Sequence, residues 1–219
     1  TGFDPPRSWA WSVLSLPAPS HRVEPAPGGC RVSFSVPAPA FPYLAVCRFD
    51  GRRLTVDFTR VDRVYDKLLT LGLRPVVELS FMPRELARDP AATVFDYRAI
   101  VSPPRDWDAW AELNGRLAEH LVARYGIEEV AQWAFEVWNE PNLEVFWTSS
   151  REEYLRLYDT AARAIKAVDP RLRVGGPATA AAGWIEDFAD YLASTDAPAD
   201  FLSTHTYGNV PLDLRPIPA

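Results

Sequence analysis

The chain has 219 residues, of which 47% are hydrophobic, with a formal charge of -6 and an isoelectric point near 5.1. A chain of this size can bury the core of one domain, or of one domain and a remnant. The acidic balance, without any block of Lys or Arg, argues against nucleic acid or an anionic membrane as the partner and favours a neutral substrate.

Redox and targeting signals are sparse in the sequence. Cys30 and Cys47 lie outside any C-x-x-C pattern, so free thiols are expected in preference to a disulfide. No apolar run approaches the roughly 20 residues that span a bilayer, and no signal peptide is visible. These features favour a cytoplasmic location, with a leader peptide upstream of Thr1 as the alternative.

Residues 1–53 are expected to form a proline-rich, irregular N-terminal segment that contains some β-structure. Nine of the 21 prolines lie within residues 1–42, which makes helices there unfavourable. Apolar and polar residues alternate over residues 31–36 and predict one strand, and the segment around Trp11 predicts a second.

Residues 54–219 alternate between helical and extended patterns. Repeated βα units with short connections predict a parallel sheet covered by helices, which is compatible with a closed barrel or a doubly wound sheet. No G-x-G-x-x-G motif is present, and Gly175-Gly176-Pro177 is interpreted as a strand-end turn, so no nucleotide cofactor is expected. The predicted helices cover about residues 58–71, 107–125, 151–168 and 184–192, and the predicted strands cover 75–80, 135–138, 172–174 and 201–205.

The end of the strand at residues 135–138 carries chemistry, because it leads directly into Asn139, Glu140 and Pro141. Pro141 is expected to hold Glu140 in an extended backbone and so to fix the direction of its side chain. Cleavage of a glycosidic bond needs an acid for the leaving oxygen and a hydrogen-bonding group for the sugar 2-hydroxyl. Glu140 and Asn139 could supply both, whereas the alternative is a loop with a surface carboxylate.

Three stretches in order resemble the glycoside hydrolases of family 39, which belong to a large retaining clan. Residues 133–143, which contain Trp-Asn-Glu-Pro, are similar to the family's fourth strand, which carries the acid/base. Residues 77–84 resemble its third strand and residues 203–208 its sixth. The resemblance covers roughly residues 54–214. It implies an α/β fold, namely a partial (β/α)8 TIM barrel at residues 54–219 with strands equivalent to 3 to 6.

The resemblance also implies roles for single residues. Glu140 would be the general acid/base and Asn139 the partner of the 2-hydroxyl. His205 and Tyr207 would line the sugar site, and Trp147 would form part of its aromatic wall, with a loop anchor as the alternative for Trp147. The implied activity is that of a retaining β-xylosidase acting on a carbohydrate substrate without metal or cofactor, and the oligomeric state is left open.

Two further carboxylates, Glu78 and Glu136, lie on predicted strands. By strand alternation Glu136 shares a face with Glu140 but lies deeper in the sheet. We interpret both Glu78 and Glu136 as buried structural acids beneath the site, because a buried carboxyl group must find hydrogen-bond partners.

The sequence departs from the family pattern at both ends. A retaining mechanism needs a second carboxylate, which in the family is a Glu that ends the seventh strand. The only acidic residue in residues 209–219 is Asp213, so no such Glu is found there. No convincing equivalents of strands one and two are found before Phe58. Four barrel strands cannot close, so the chain is expected to be an inactive fragment of a glycosidase.

Two alternatives to a β-xylosidase remain from the sequence. An α-L-iduronidase-like relative in the same clan would need a basic pocket for a uronic acid, and none is evident in the sequence. A degenerate, noncatalytic carbohydrate-binding barrel would account for the missing nucleophile.

Overall fold

In a computed structural model of the chain, the described residues are 45–206, together with the backbone of three strands at 11–13, 20–26 and 29–35. The helices are α1 (Thr59–Thr70), α2 (Trp107–Tyr125), α3 (Ile127–Val130), α4 (Arg151–Val168) and α5 (Ile185–Thr195). The strands are β1 (Trp11–Val13), β2 (Ser20–Ala26), β3 (Gly29–Ser35), β4 (Val46–Phe49), β5 (Leu54–Asp57), β6 (Val76–Leu79), β7 (Thr93–Val94), β8 (Ala99–Ile100), β9 (Ala134–Val137), β10 (Arg173–Ala180) and β11 (Phe201–His205).

The main sheet contains five strands in the order β1-β6-β9-β10-β11, and every neighbouring pair is parallel. Glu78 of β6 lies opposite Glu136 of β9, and Glu136 in turn lies opposite Gly175 of β10. Helices α2 and α4 pack on each other and lie over this sheet, as βα crossovers require. The predicted α/β class with a parallel sheet is therefore confirmed.

The N-terminal part of the chain differs from expectation in one respect. The strand around Trp11 pairs in parallel with Val76–Glu78, so the sheet has five strands where four were expected. A sheet edge exposes backbone N–H and C=O groups that a further strand can pair. The strand predicted at residues 31–36 is present as β3, which forms an antiparallel hairpin with β2. The division at residue 53 stays a prediction, and the β4–β5 hairpin spans that position.

Ser150 and Glu153, at the start of α4, have the spacing of a capping box, and half of that box is formed. The Ser150 hydroxyl accepts the Glu153 N–H at 3.2 Å at the start of α4. The Glu153 carboxylate does not complete a reciprocal box with Ser150, because it accepts from Arg88 at 2.8 Å and from Ser149. Arg88 lies in the long loop between β6 and α2, so this ion pair ties that loop to α4 and holds it over the sheet.

The core lies between the sheet and α1, α2 and α4 and is rich in aromatic residues. The hydroxyl of the buried Tyr154 lies 3.1 Å from the Val137 carbonyl and 3.0 Å from the Pro177 carbonyl, so it joins β9 to β10 near the site. In the described part of the chain, the helices are too short or too polar to cross a bilayer.

Strand β10 is longer than the sequence predicted. The Gly175-Gly176-Pro177 stretch lies within β10 and is not a strand-end turn, because Gly175 pairs with both β9 and β11 and the next two residues pair with β11. At Gly175 a Cβ atom would lie 2.4 Å from the Phe201 carbonyl oxygen and 2.6 Å from the Phe201 ring. Glycine is therefore needed for β10 and β11 to approach each other.

We expect Gly175→Ala to destabilise the fold by about 3 kcal/mol, because the added methyl group meets a backbone carbonyl that cannot move aside. Gly115→Ala is the matched control: its Cβ would lie 3.8 Å from the Ala164 carbonyl oxygen, and alanine should stabilise α2 by about 0.5–1 kcal/mol. Urea unfolding of the two variants measures both effects. Equal stability of Gly175→Ala and the parent chain would contradict the close approach of the two strands.

Candidate active site

Glu140 lies just beyond the carboxyl end of β9, with a backbone φ of +46°. This corrects the expectation that Pro141 holds Glu140 extended. The Glu140 N–H donates to the Ala178 carbonyl at 2.8 Å, and the Glu140 carbonyl accepts from the Leu143 N–H at 3.0 Å. A non-glycine residue at positive φ costs about 1–3 kcal/mol and persists where surrounding contacts hold it. These two hydrogen bonds therefore fix Glu140 from both sides.

The carbonyl that holds Glu140 comes from an irregularity in β10. The register of β10 against β11 shifts between Pro177 and Thr179, which leaves Ala178 as an extra residue with a φ of +54°. The Ala178 N–H donates to the Ser203 hydroxyl at 3.2 Å. Bulges of this kind redirect the backbone beside functional sites. Here the bulge turns the Ala178 carbonyl toward Glu140.

Asn142 anchors the loop that follows Glu140. Its side-chain oxygen accepts the Ala180 N–H at 2.8 Å, and its side-chain nitrogen donates to the Ala180 carbonyl at 2.9 Å. No role was predicted for Asn142, although it directly follows the Asn-Glu-Pro tripeptide. An amide that pairs with both backbone groups of one residue acts like an additional strand residue, so Asn142 extends the β9–β10 connection beyond the strand.

The structure brings together two of the residues predicted for the site. His205 Nδ1 lies 2.9 Å from Glu140 Oε1, and the two side chains are 13% and 8% exposed, so their contact is largely shielded from water. Asn139 is half-buried at the same strand end. Tyr207 lies outside the described residues. The catalytic and binding roles of all four residues stay predictions.

Trp147 occupies a different environment from the predicted aromatic wall. Its side chain is 2% exposed, packs edge-on against Trp138, and donates its indole N–H to the Ser150 carbonyl at 2.9 Å. A ring buried in this way presents no face to a bound sugar. The position favours the alternative role of a loop anchor, which joins the loop after β9 to the start of α4.

Two buried acids lie beneath Glu140, as the sequence predicted. Burial, together with the nearby Glu136 and Glu140, raises the pKa of Glu78 to about 8, although a hydrogen bond from Ser80 opposes the rise. Burial likewise raises the pKa of Glu136, and the Ser203 hydroxyl and His205 oppose that rise. Glu78 is therefore neutral near pH 7, and the floor of the site carries less negative charge than its three carboxyl groups suggest.

Aromatic side chains from two loops form a platform beside these acids. Phe81, Phe95 and Tyr97 come from the loop after β6, and Phe146 from the loop after β9; the Phe95 ring lies 5.3 Å from Tyr97 and 5.5 Å from Phe146. Phe95 is 50% exposed. The sequence does not predict this platform, because residues so far apart in the chain meet only when their strands pair. In the described part of the chain, the His, Cys, Asp and Glu residues form no cluster suited to a metal ion.

Comparison with known proteins identifies the family. The family model for "Glycosyl hydrolases family 39" matches residues 42–215. The chain belongs to glycoside hydrolase family 39. It is 48% identical over 173 residues to a β-xylosidase of Caldicellulosiruptor saccharolyticus. A monomeric β-xylosidase of Caulobacter crescentus CB15 of known crystal structure is 44% identical, with a TM-score of 0.70.

The family 39 match covers only part of these proteins. The aligned region is 78% of this chain but 35% of the C. saccharolyticus protein, and 74% of this chain but 33% of the C. crescentus structure. The chain therefore spans about a third of its relatives and carries part of a family 39 TIM barrel. An α-L-iduronidase of Canis lupus familiaris is 33% identical over 136 residues, which cover 61% of this chain and 19% of that protein.

The buried acids of this family 39 chain give a pH-dependent prediction for stability. The pKa of Glu78 is raised from 4.5 to about 8 in the folded chain. The stabilisation of the folded chain by protonated Glu78 is therefore fully present below about pH 4.5, and it is lost as the pH rises through about 8. Glu78→Gln keeps the shape without the charge. As the pH rises from about 4.5 to about 8, we expect the unfolding free energy of the parent chain to fall relative to that of Glu78→Gln by on the order of 3 kcal/mol.

Urea unfolding at pH 4.5 and at pH 8.5 measures this difference. Glu144→Gln is the matched control, because Glu144 is an exposed carboxylate in the loop after β9. It should follow the parent chain at both pH values. A constant offset between Glu78→Gln and the parent across the pH range would contradict a neutral, buried Glu78.

Proposed function

We propose that this chain is the acid/base-bearing part of a retaining β-xylosidase in which Glu140 is the general acid/base. The observation that supports this best is the contact of the Glu140 carboxylate with His205, 2.9 Å apart, at the carboxyl end of a parallel sheet. Catalytic groups of barrel enzymes lie at that end. The high identity to β-xylosidases supports a xyloside substrate.

In the first step, protonated Glu140 gives its proton to the glycosidic oxygen while a second carboxylate attacks the anomeric carbon. The bond between that carbon and the leaving oxygen breaks, and a glycosyl ester forms. In the second step, the Glu140 carboxylate takes a proton from a water molecule that attacks the same carbon. The ester bond breaks, the sugar leaves with its original anomeric configuration, and Glu140 is protonated again.

The residues around Glu140 fit this role. The hydrogen bond from its N–H to Ala178 and the contact with His205 limit both its backbone and its side chain, and a fixed carboxyl group shortens the search for a reactive geometry. Asn139, next to Glu140, would hold the sugar 2-hydroxyl as charge develops on the ring. Tyr207 would line the same sugar site.

The attacking carboxylate is proposed to lie outside these 219 residues. Retaining glycosidases hold their two carboxyl groups about 5–5.5 Å apart. The two other buried acids near Glu140 are unsuited to attack. Glu78 is neutral near pH 7, and Glu136 is buried deeper in the sheet than Glu140 and interacts with the Ser203 hydroxyl. A strand next to β11 that ends in Glu would place a carboxylate beside His205.

The 33% identity to an α-L-iduronidase supports a second candidate, a hydrolase for glycosides of uronic acids. The two candidates share the acid/base and differ in the sugar that is bound. A noncatalytic carbohydrate-binding barrel is a third possibility, and it differs from both in that Glu140 would have no role in turnover. Replacing the matching segment of a complete relative with this segment distinguishes the three candidate functions.

A chimaera in which residues 45–206 replace the matching segment of the C. saccharolyticus β-xylosidase should hydrolyse an aryl β-xyloside. Glu140→Gln in this chimaera should lower kcat/KM by on the order of 10²–10⁴-fold, because general acid/base catalysis contributes about that much. Azide should restore turnover of a substrate with a good leaving group, since azide needs no base to attack the glycosyl ester. Glu144→Gln serves as the control.

If the chimaera is inactive on the β-xyloside but active on an aryl α-L-iduronide, the iduronidase candidate replaces the β-xylosidase. If a folded chimaera has no activity on either substrate, the noncatalytic candidate stands. If Glu140→Gln retains full activity, Glu140 is not the acid/base.

The 219-residue chain by itself should not hydrolyse aryl β-xylosides, because the proposed mechanism needs a second carboxylate for attack. Release of nitrophenol from a nitrophenyl β-xyloside by the purified chain measures this. If the purified chain turns over this substrate faster than its Glu140→Gln variant, the proposal that the nucleophile lies outside the chain is wrong.

A further inference from the structure

A cavity of about 370 Å³ lies between β4 and the loop that joins β6 to α2. Its lining includes Arg60, Arg84, Arg98, Glu85 and Tyr97. Residues 84 and 98 belong to the loop after β6, which leaves the sheet at the same end as Glu140. Cavities of this size are typical of sites for small ligands.

The cavity lining is rich in positive charge. Besides Arg60, the guanidinium groups of Arg84 and Arg98 line the cavity together with one carboxylate, that of Glu85. Burial raises the pKa of the Cys47 thiol to about 12, so this lining residue adds no negative charge at neutral pH. Arginines on a concave surface concentrate negatively charged ligands there.

Two of these arginines differ from their neighbour Arg88. Arg88, in the same loop, forms an ion pair with Glu153 at 2.5 Å. Within the described residues, neither Arg84 nor Arg98 forms an ion pair with a carboxylate. A guanidinium group offers a planar pair of N–H donors that matches the two oxygens of a carboxylate. Both side chains are therefore available for an anionic ligand.

Tyr97 connects this cavity to the carboxyl cluster. Its side chain lines the cavity, and burial together with the charge of Glu78 raises its pKa to about 12. Its ring also stacks on Phe95, which contacts Phe146 in the loop that follows Glu140. The aromatic side chains of the cavity wall thus contact the loop that follows Glu140.

We propose that the cavity lined by Arg84 and Arg98 binds the carboxylate of a uronic acid unit carried by the glycoside substrate. The inference rests on the proposed glycosidase function, and it deepens that function by naming an acidic substrate class. The uronic acid binds at Arg84 and Arg98, while the neutral sugar of the scissile bond binds at Glu140.

Binding to the 219-residue chain tests this without turnover. NMR titrations compare a xylo-oligosaccharide with a glucuronic acid branch, the same oligosaccharide without the branch, and inorganic phosphate. We expect the branched ligand to bind about tenfold more tightly than the neutral one, since hydrogen bonds to charged groups contribute about that much. The Arg84→Gln/Arg98→Gln double variant should lose this advantage. Both residues are exposed, so the fold should be unaffected.

Arg173→Gln is the control, because Arg173 is an exposed arginine at the opposite end of the same sheet. It should keep the tenfold preference. If neutral and acidic oligosaccharides bind equally, the inference is overturned while the proposed function stands. If only the acidic ligand binds, the cavity is supported and the xyloside site is not. Phosphate binding as tight as that of the branched ligand, or binding by neither oligosaccharide, also overturns the inference.

Discussion

The site depends on one hydrogen bond between backbones, from the Glu140 N–H to the Ala178 carbonyl. It joins two residues at positive φ, each of which would be unfavourable alone. Ala178 is held from behind by the Ser203 hydroxyl, so the restraint passes from β11 through β10 to the residue after β9. Three neighbouring strands therefore determine where the Glu140 carboxyl group points, and strain in two turns is balanced by hydrogen bonds from rigid elements.

The same arrangement explains the pattern of acids in the sheet. Ser203 and His205 are two residues apart on β11 and so face the same side. Ser203 interacts with Glu136, and His205 contacts Glu140, which gives two layers of polar side chains between apolar strands. Burial in the deeper layer disfavours charged carboxylates. Glu78 therefore remains protonated near neutral pH. Glu140, above it, retains the contact with His205.

Local patterns predicted those elements whose signals lie within the chain segment itself. Helix α2, predicted at about residues 107–125, covers Trp107–Tyr125 and stops before Gly126. The Asn-Glu-Pro motif indicated the site, and the family resemblance predicted that His205 lies in it. The conformation of Glu140 was predicted wrongly, because the preference imposed by Pro141 is weaker than the two backbone hydrogen bonds. The aromatic platform and the Arg84–Arg98 cavity depend on pairing between distant segments, which no local pattern specifies.

The exposure of β11 shows how the site relates to the rest of a barrel. Phe201, Ser203 and His205 are half-buried, while Leu202 on the other face is 52% exposed, although leucine is normally covered in a parallel sheet. Within the described residues, β11 pairs on one side with β10. A further strand beside β11 and a helix over Leu202 would bury this surface, and the end of that strand would lie next to His205. The same addition would thus complete the core and bring a carboxylate to the proposed acid/base, so stability and catalysis would depend on one structural unit.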